Sequence, residues 1–159
     1  MVLITLKHIT VDIFDAVIDL EVDASQKNFV ASNIYSLAEA YVTLVNQVTI
    51  PMPFAIYAKD VLVGFLMLSY DTNASDETKM ATYSVWRMMI DKRYQQRGYG
   101  TAAMTSALEY IKTFPKGPAG AVILSYEPDN SVAKLLYETL GFVETGEIED
   151  GEVGAKLTL

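Results

Sequence analysis

The segment from Val85 to Thr101, Val-Trp-Arg-Met-Met-Ile-Asp-Lys-Arg-Tyr-Gln-Gln-Arg-Gly-Tyr-Gly-Thr, holds the residues best suited to chemistry in this chain. Apolar, strand-forming residues give way to a polar turn with two glycines, and a helical pattern follows from Thr101. The first N–H groups of a helix have no partner inside it, and the aligned peptide dipoles add partial positive charge there. Such a helix mouth binds anions, phosphates in particular. Gly98 and Gly100 omit the side chains that would hold a phosphate off the backbone. Lys92, Arg93 and Arg97 bring positive charge to the same turn, in a chain of formal net charge −8. A pyrophosphate would use all of these features. A tight strand-to-helix turn with glycines for packing has the same composition, so the segment alone leaves both readings open.

Several other chemistries are excluded. No Gly-x-x-x-x-Gly-Lys-Ser/Thr run and no Gly-x-Gly-x-x-Gly after a first strand is present. The absence of cysteine removes disulfides, thiolate metal ligands and a Cys nucleophile. The only histidine, His8, leaves no His-rich site, so no metal is expected, and a Ser-His-Asp triad would have to rest on a residue that ends a strand and is not expected. His8 closes the first predicted strand and reads as a surface or turn residue. With 20 acidic against 12 basic residues the chain is a poor binder of nucleic acid and a better attractor of cations. No apolar run nears the ~18 residues a membrane span needs. Met1 to Lys7 lacks the basic, apolar and small-residue parts of a signal peptide, which makes the cytoplasm the expected compartment.

The elements that must position the turn follow from periodicity and breakers. The 159 residues, 51% hydrophobic, suit one domain spanning 1–159. Val2 to Lys7 alternates as a strand. Thr10 is placed to cap a helix over 11–21, and Ser36-Leu-Ala-Glu39 is a capping-box pattern opening a helix to Asn46. Pro51 and Pro53 are read as stopping that helix. Residues 54–58 and 61–70 form a hairpin, 71–79 a polar loop, and 81–91 a long strand. A helix over 101–113, a Pro/Gly loop, a strand over 121–126, a helix over 131–140 capped by Gly141, and a hairpin turning at Asp150-Gly151 complete the chain. The order β-α-α-β-β-β-α-β-α-β-β predicts an α/β (mixed α+β) fold with helices on the faces of a mixed sheet. The unit 81–126 is expected to be a right-handed parallel crossover.

Two motifs now combine. Gln95-x-x-Gly98-x-Gly100 resembles the acyl-CoA signature of the GCN5-related N-acetyltransferase (GNAT) superfamily. Asn130-Ser-Val-Ala-Lys-Leu-Leu-Tyr137-Glu-Thr-Leu-Gly-Phe142 resembles its second signature. The resemblance runs from about Val2 to Leu159. It implies a mostly antiparallel seven-stranded sheet, splayed between strands 4 and 5, with about four helices. Phe29–Asn33, Tyr35–Tyr41, Pro53–Tyr57, Trp86–Asp91, Tyr110–Pro115 and Leu124–Pro128 look like the bacterial Blt-type spermine/spermidine (diamine) acetyltransferases.

The resemblance implies acetyl-CoA as co-substrate and a polyamine as acceptor, joined by direct attack in a ternary complex. By position, Met88, Met89 and Ile90 pair with the pantetheine arm. Gln95, Gln96, Arg97, Gly98, Tyr99, Gly100 and Thr101 hold the pyrophosphate, and Asn130 and Lys134 lie along the cofactor. Asn130 also fits a helix N-cap. Tyr137, two helical turns further on, matches the tyrosine that protonates the departing thiolate. That chemistry is sound, because sulfur leaving a tetrahedral oxyanion needs a proton or charge stabilisation.

An alkylamine with a pKa near that of lysine, ~10.4, must lose a proton before it attacks. Glu127, after the strand that walls the cleft, is the first candidate base, and Glu39 the second. Glu127 also reads as a loop surface charge, and Glu39 as the capping-box partner of Ser36. Tyr35, Trp86 and Tyr126 offer rings for a polyamine, with Arg87 on the acceptor side. The carboxylates Glu144, Glu147, Glu149, Asp150 and Glu152 read mainly as a solvated turn. Other acceptors (an aminoglycoside, an amino acid, a protein N-terminus) and a non-catalytic acyl-CoA sensor stay open. The superfamily also implies a homodimer, with Ala155 to Leu159 as a contributing strand.

Overall fold

The structure, a computed structural model, describes residues 2–47, 49–72 and 80–159. Most of the expected polar loop 71–79 lies outside the described residues. In chain order the elements are β1 (Ile4–His8), α1 (Phe14–Ile18), a single 3-10 turn (Ala24–Gln26), α2 (Asn33–Asn46), β2 (Ile50–Ala58), β3 (Val61–Asp71), β4 (Thr82–Ile90), α3 (Tyr99–Ile111), β5 (Ala121–Tyr126), α4 (Ser131–Thr139), β6 (Val143–Glu149) and β7 (Glu152–Thr158). The strands form one sheet in the order β1-β2-β3-β4-β5-β7-β6. Only β4 and β5 run parallel. This is the mixed α/β, seven-stranded arrangement expected from the sequence.

Three local expectations are corrected. The helix read over 11–21 shrinks to Phe14–Ile18. Tertiary bonds take the rest: the Glu21 N–H donates to Asp91 Oδ2 at 3.0 Å, and the Glu21 carbonyl accepts from the Lys92 N–H at 2.7 Å. Helix α2 starts a turn earlier than the capping-box pattern suggested. Ser32, not Ser36, is the N-cap, its Oγ accepting from the Tyr35 N–H at 3.2 Å. Pro51 and Pro53 do not merely end a helix; they lie in β2, beyond Phe54, its last residue paired with β1. A residue without an N–H is tolerated at such an edge. The expected last hairpin is present, and β7 also pairs with β5 on its other side.

The sheet is covered on both faces. Tyr83, Val85, Val122 and Leu124 pack with Met104, Ala107 and Ile111 of α3 on one side. Phe65, Met67 and Met89 pack with Val17 of α1 and Ala40 of α2 on the other. β3, at the centre, is therefore buried without interruption from Val63 to Tyr70. A glycine lets β3 approach β4: a Cβ on Gly64 would lie 2.4 Å from the Met89 carbonyl oxygen. Gly64→Ala is expected to push the two strands apart and cost ~1–3 kcal/mol. Urea unfolding measures it; an unchanged midpoint would show that the strands yield freely at this point.

The sheet opens at its parallel pair. β4 and β5 are in register only at Thr82↔Ala121, Tyr83↔Val122 and Ser84↔Ile123. On its other side, β4 pairs Val85 with Leu68 and Arg87 with Met67, so Trp86 is an extra, bulged residue. A bulge bends its strand and raises the local twist. The strands part just where it occurs, and a slot begins there.

Candidate active site

The slot continues into a cleft of about 1220 Å³. Its floor is β4 from Ser84 to Ile90 and the unpaired part of β5, Leu124 to Tyr126. One end meets the start of α3. Gln96 (φ 60°) and Gly98 (φ 79°) turn the chain through left-handed conformations there. Gly98 caps α3 without any side chain, and the first intrahelical bond is Ala102 N–H to the Gly98 carbonyl at 3.1 Å. The amides of Tyr99, Gly100 and Thr101 thus precede the first helical bond, and all three residues line the cleft. The helix begins at Tyr99, two residues before the position read from the sequence.

The expected cluster of three cations does not survive folding. Lys92 Nζ lies 3.0 Å from Glu21 Oε2, and Arg93 Nε 2.7 Å from Asp91 Oδ1. Arg97 has no carboxylate partner among the described residues; its guanidinium donates to the Arg93 carbonyl at 3.2 Å, and it does not line the cleft. An anion at this turn would therefore meet mainly amides. Its loop is braced from within by Gln95, whose Nε2 donates to the Ile90 carbonyl (2.9 Å) and to Gln26 Oε1 (2.7 Å).

Asp91, 1% exposed, anchors the base of this loop. It accepts from the Glu21 N–H, the Arg93 N–H and Arg93 Nε. Burial pushes its carboxyl up, but the bonds from Arg93 and Glu21 outweigh burial and hold it below the ordinary range. A depressed carboxyl stabilises the fold above its unfolded pKa, ~3.9, and that contribution disappears as pH falls through the folded value. Asp91→Asn is therefore expected to cost ~1–3 kcal/mol at pH 7. The gap to the unsubstituted protein should narrow with acidification below the ordinary aspartate range. Urea titrations at several pH values measure it, and a gap independent of pH would refute the ionic role.

Tyr137 stands at the slot. Its ring lies 5.8 Å from Tyr126 and 5.9 Å from Phe142, centroid to centroid. Its hydroxyl has no hydrogen-bond partner among the described residues. Burial, and then the charge of Glu152, push its phenol up to about 12. Both ends of α4 fix its place. Asn130 Oδ1 accepts from the Ala133 N–H at 3.2 Å, and Asn130 also lines the cleft, so both of its expected roles are compatible. At the far end Gly141 (φ +93°) lets its N–H reach the Glu138 carbonyl and the Phe142 N–H reach the Tyr137 carbonyl, each at 3.0 Å.

Not every expected site residue reaches the cleft. Lys134 is engaged by Glu144 at 3.1 Å and Glu138 at 3.8 Å. Glu144 also accepts from the Tyr126 hydroxyl at 2.6 Å, while burial and that bond raise the Tyr126 phenol to about 12. Trp86, Arg87 and Tyr126 line the cleft; Tyr35, Glu39 and Glu127 do not. Glu39 ion-pairs with Arg87 at 3.2 Å instead of closing a capping box, and Ser36 is buried inside α2, donating to the Ser32 carbonyl. Tyr35 is 58% exposed. Both bases chosen from the sequence thus stand off the cleft wall.

Other residues take those places. Glu147, Glu149, Asp150 and Glu152 of the last hairpin line the cleft, as do Asn28 to Ala31 before α2. Their density of carboxylates was visible in the sequence; their position was not. No group of three or more His, Cys, Asp or Glu able to hold a metal occurs among the described residues. No described helix is long and apolar enough to cross a membrane.

A sheet split at its one parallel pair, with bare amides at one side of the split and a phenol inside it, defines the N-acyltransferase class of fold. The sequence profile of the Acetyltransferase (GNAT) family matches residues 15–142, and the chain belongs to that family. It is similar to the spermine/spermidine N(1)-acetyltransferase of Bacillus subtilis strain 168, 27% identical over 146 residues, 92% of this chain and 91% of the relative. Among solved structures it resembles a spermidine N-acetyltransferase from Vibrio cholerae in complex with CoA and spermine (TM-score 0.69, 17% identity, 98% and 94% of the two chains covered). It also resembles a PaiA N-acetyltransferase from Thermoplasma acidophilum in complex with coenzyme A (TM-score 0.70, 14% identity, 99% of each chain).

Proposed function

We propose that this acetyltransferase moves the acetyl group of acetyl-CoA to a primary amine of a polyamine, spermine, spermidine or a shorter diamine, in the cytoplasm. One observation carries the reading. A single cleft is lined by the bare amides at the start of α3 and by the carboxylates of the β6–β7 turn, with Tyr137 also in its wall. The amides suit a diphosphate. The carboxylates suit a chain of ammonium groups, and the Trp86 ring suits its methylenes. The polyamine acetyltransferases to which the chain is similar support the same acceptor class.

The residues assign the steps. The free edge of β4 at Met88 to Ile90 orients the pantetheine arm, as an added strand would. The amine attacks the thioester carbonyl carbon directly in the ternary complex, so no covalent enzyme intermediate forms. Tyr137, protonated because its phenol stays up near 12, gives its proton to the leaving sulfur. The chain is also proposed to form a homodimer. Ile34, Tyr41 and Val45 leave an exposed apolar stripe on one side of α2, and light scattering reads the assembly state.

The test is thiol release from acetyl-CoA with a panel of amines. Turnover with spermine or spermidine supports the reading. Turnover only with aminoglycosides or amino acids would replace the acceptor, and CoA binding without thiol release would replace the enzyme by a sensor.

A further inference from the structure

We propose that Glu152, held by Ser125, takes the proton from the attacking amine; the proposal rests on the acetyl transfer above but not on which amine is used. Ser125 lies in the part of β5 that has left β4, beyond the last paired residue Ile123. Its Oγ donates to Glu152 Oε2, and both residues line the cleft. Ser125 is opposite Gly154 in the β5–β7 ladder, and Glu152 shares Gly154's face of β7 because side chains two apart point the same way. A carboxylate is thus fixed at the open end of the slot, and its charge reaches Tyr137. The hydroxyl fixes one oxygen of the carboxylate and leaves the other for the substrate.

Among the described residues no other carboxylate has this position. β4 presents Trp86, Arg87, Met88 and Met89 to the cleft and no acid. Glu39 is neutralised by Arg87, and Glu127 is off the wall. Glu147, Glu149 and Asp150 line the cleft without a bond to β5 and suit distant ammonium groups.

The proton count closes. The ammonium sheds one proton to water on entry. The neutral nitrogen attacks the carbonyl carbon, forming the C–N bond and an oxyanion, and becomes cationic. Glu152 accepts that nitrogen's proton. The oxyanion re-forms the carbonyl, the C–S bond breaks, and the sulfur departs with the Tyr137 proton. The proton on Glu152 then returns to the Tyr137 phenolate. The products are the amide, the free thiol and one proton in solution.

The groups facing Glu152 decide how a pH profile is read. Tyr126 on β5 and Tyr137 on α4 are both pushed up to about 12 and do not titrate in the acid range. Arg87 lies across the slot, and Lys156 lies on the same face of β7. Glu127, Glu147, Glu149 and Asp150 are carboxylates that persist in a Glu152 variant.

The experiment measures kcat against pH for the full chain and for Glu152→Gln, with whichever amine the unsubstituted enzyme acetylates, and CoA affinity by calorimetry. The proposal expects kcat to fall ~10²-fold or more, the acid limb to flatten, and CoA affinity to hold. Glu152→Asp should recover part of the rate, and Ser125→Ala should fall between the two. An unchanged kcat profile, or a raised KM for the amine with kcat intact, would overturn it. If spermine and spermidine are not acetylated but another amine is, the acceptor assignment fails while Glu152 is still tested on that amine.

Discussion

Tyr137→Phe should lower kcat by ~10²–10⁴-fold while leaving acetyl-CoA affinity and folding nearly intact. The ring is what packs, against Tyr126 and Phe142, and phenylalanine keeps it. The hydroxyl has no partner among the described residues, so its removal breaks no hydrogen bond of the fold. On the proposed mechanism, what disappears is the proton for the thiolate. Because burial raises the phenol to about 12, the donor stays loaded across the whole usable range of pH. Tyr137 itself therefore imposes no basic limb on the unsubstituted enzyme below that value. Steady-state kinetics with a saturating amine makes the measurement. A kcat within a factor of a few of the original would mean that the sulfur leaves unprotonated or takes its proton from water.

The second large effect is expected from Gly100→Asp, which should raise the Kd for acetyl-CoA by ~10²–10³-fold. A Cβ at Gly100 meets nothing closer than Leu136 Cδ2 at 4.0 Å, so the chain has room for it. A carboxylate in the first turn of a helix also complements the helix dipole, worth ~0.3–1 kcal/mol in favour of folding. The same carboxylate sits among the amides that the diphosphate needs. At about 4 Å and an effective dielectric near 20, two like charges repel by ~4 kcal/mol. Stability should therefore hold or rise while cofactor binding collapses, a combination that misfolding cannot mimic. Calorimetric titration with CoA, beside a thermal melt, separates the two. Gly100→Ala should cost far less, since it adds bulk without charge. Undiminished CoA binding by Gly100→Asp would place the diphosphate elsewhere.

Local signals in this sequence were legible and long-range pairings were not. Gly98 and Gly141 mark their positions by backbone conformation alone, and the apolar spacing of α3 does the same for its buried face. The turn before α3 and the helix α4 that carries Tyr137 were accordingly legible in the sequence. Lys92 looked like a free cation because its partner, Glu21, becomes a neighbour only through tertiary contact, and Arg93 because its sequence neighbour Asp91 gives no sign there of being buried. The same pairing unwinds the end of α1, which helical periodicity had extended to Glu21. Glu39 reads as a candidate base, or else as a helix-cap partner, because Arg87, with which it pairs, lies on another element. The acidic hairpin was read as solvated because charge density does not reveal where a turn points. A break in register between Glu144 and Ile148, with Gly146 in a left-handed conformation, lies between that turn and the rest of β6. No residue type in the segment announces its effect.

The three-residue register between β4 and β5 has a consequence for how the sheet holds together. Four strands on one side and three on the other share a seam closed by only three rungs of backbone pairing. The sheet is two half-sheets joined at one end like a partly fastened zip. A pantetheine arm lying along the free edge of β4 would supply the missing rungs, so the group that delivers the acetyl would also clamp the fold.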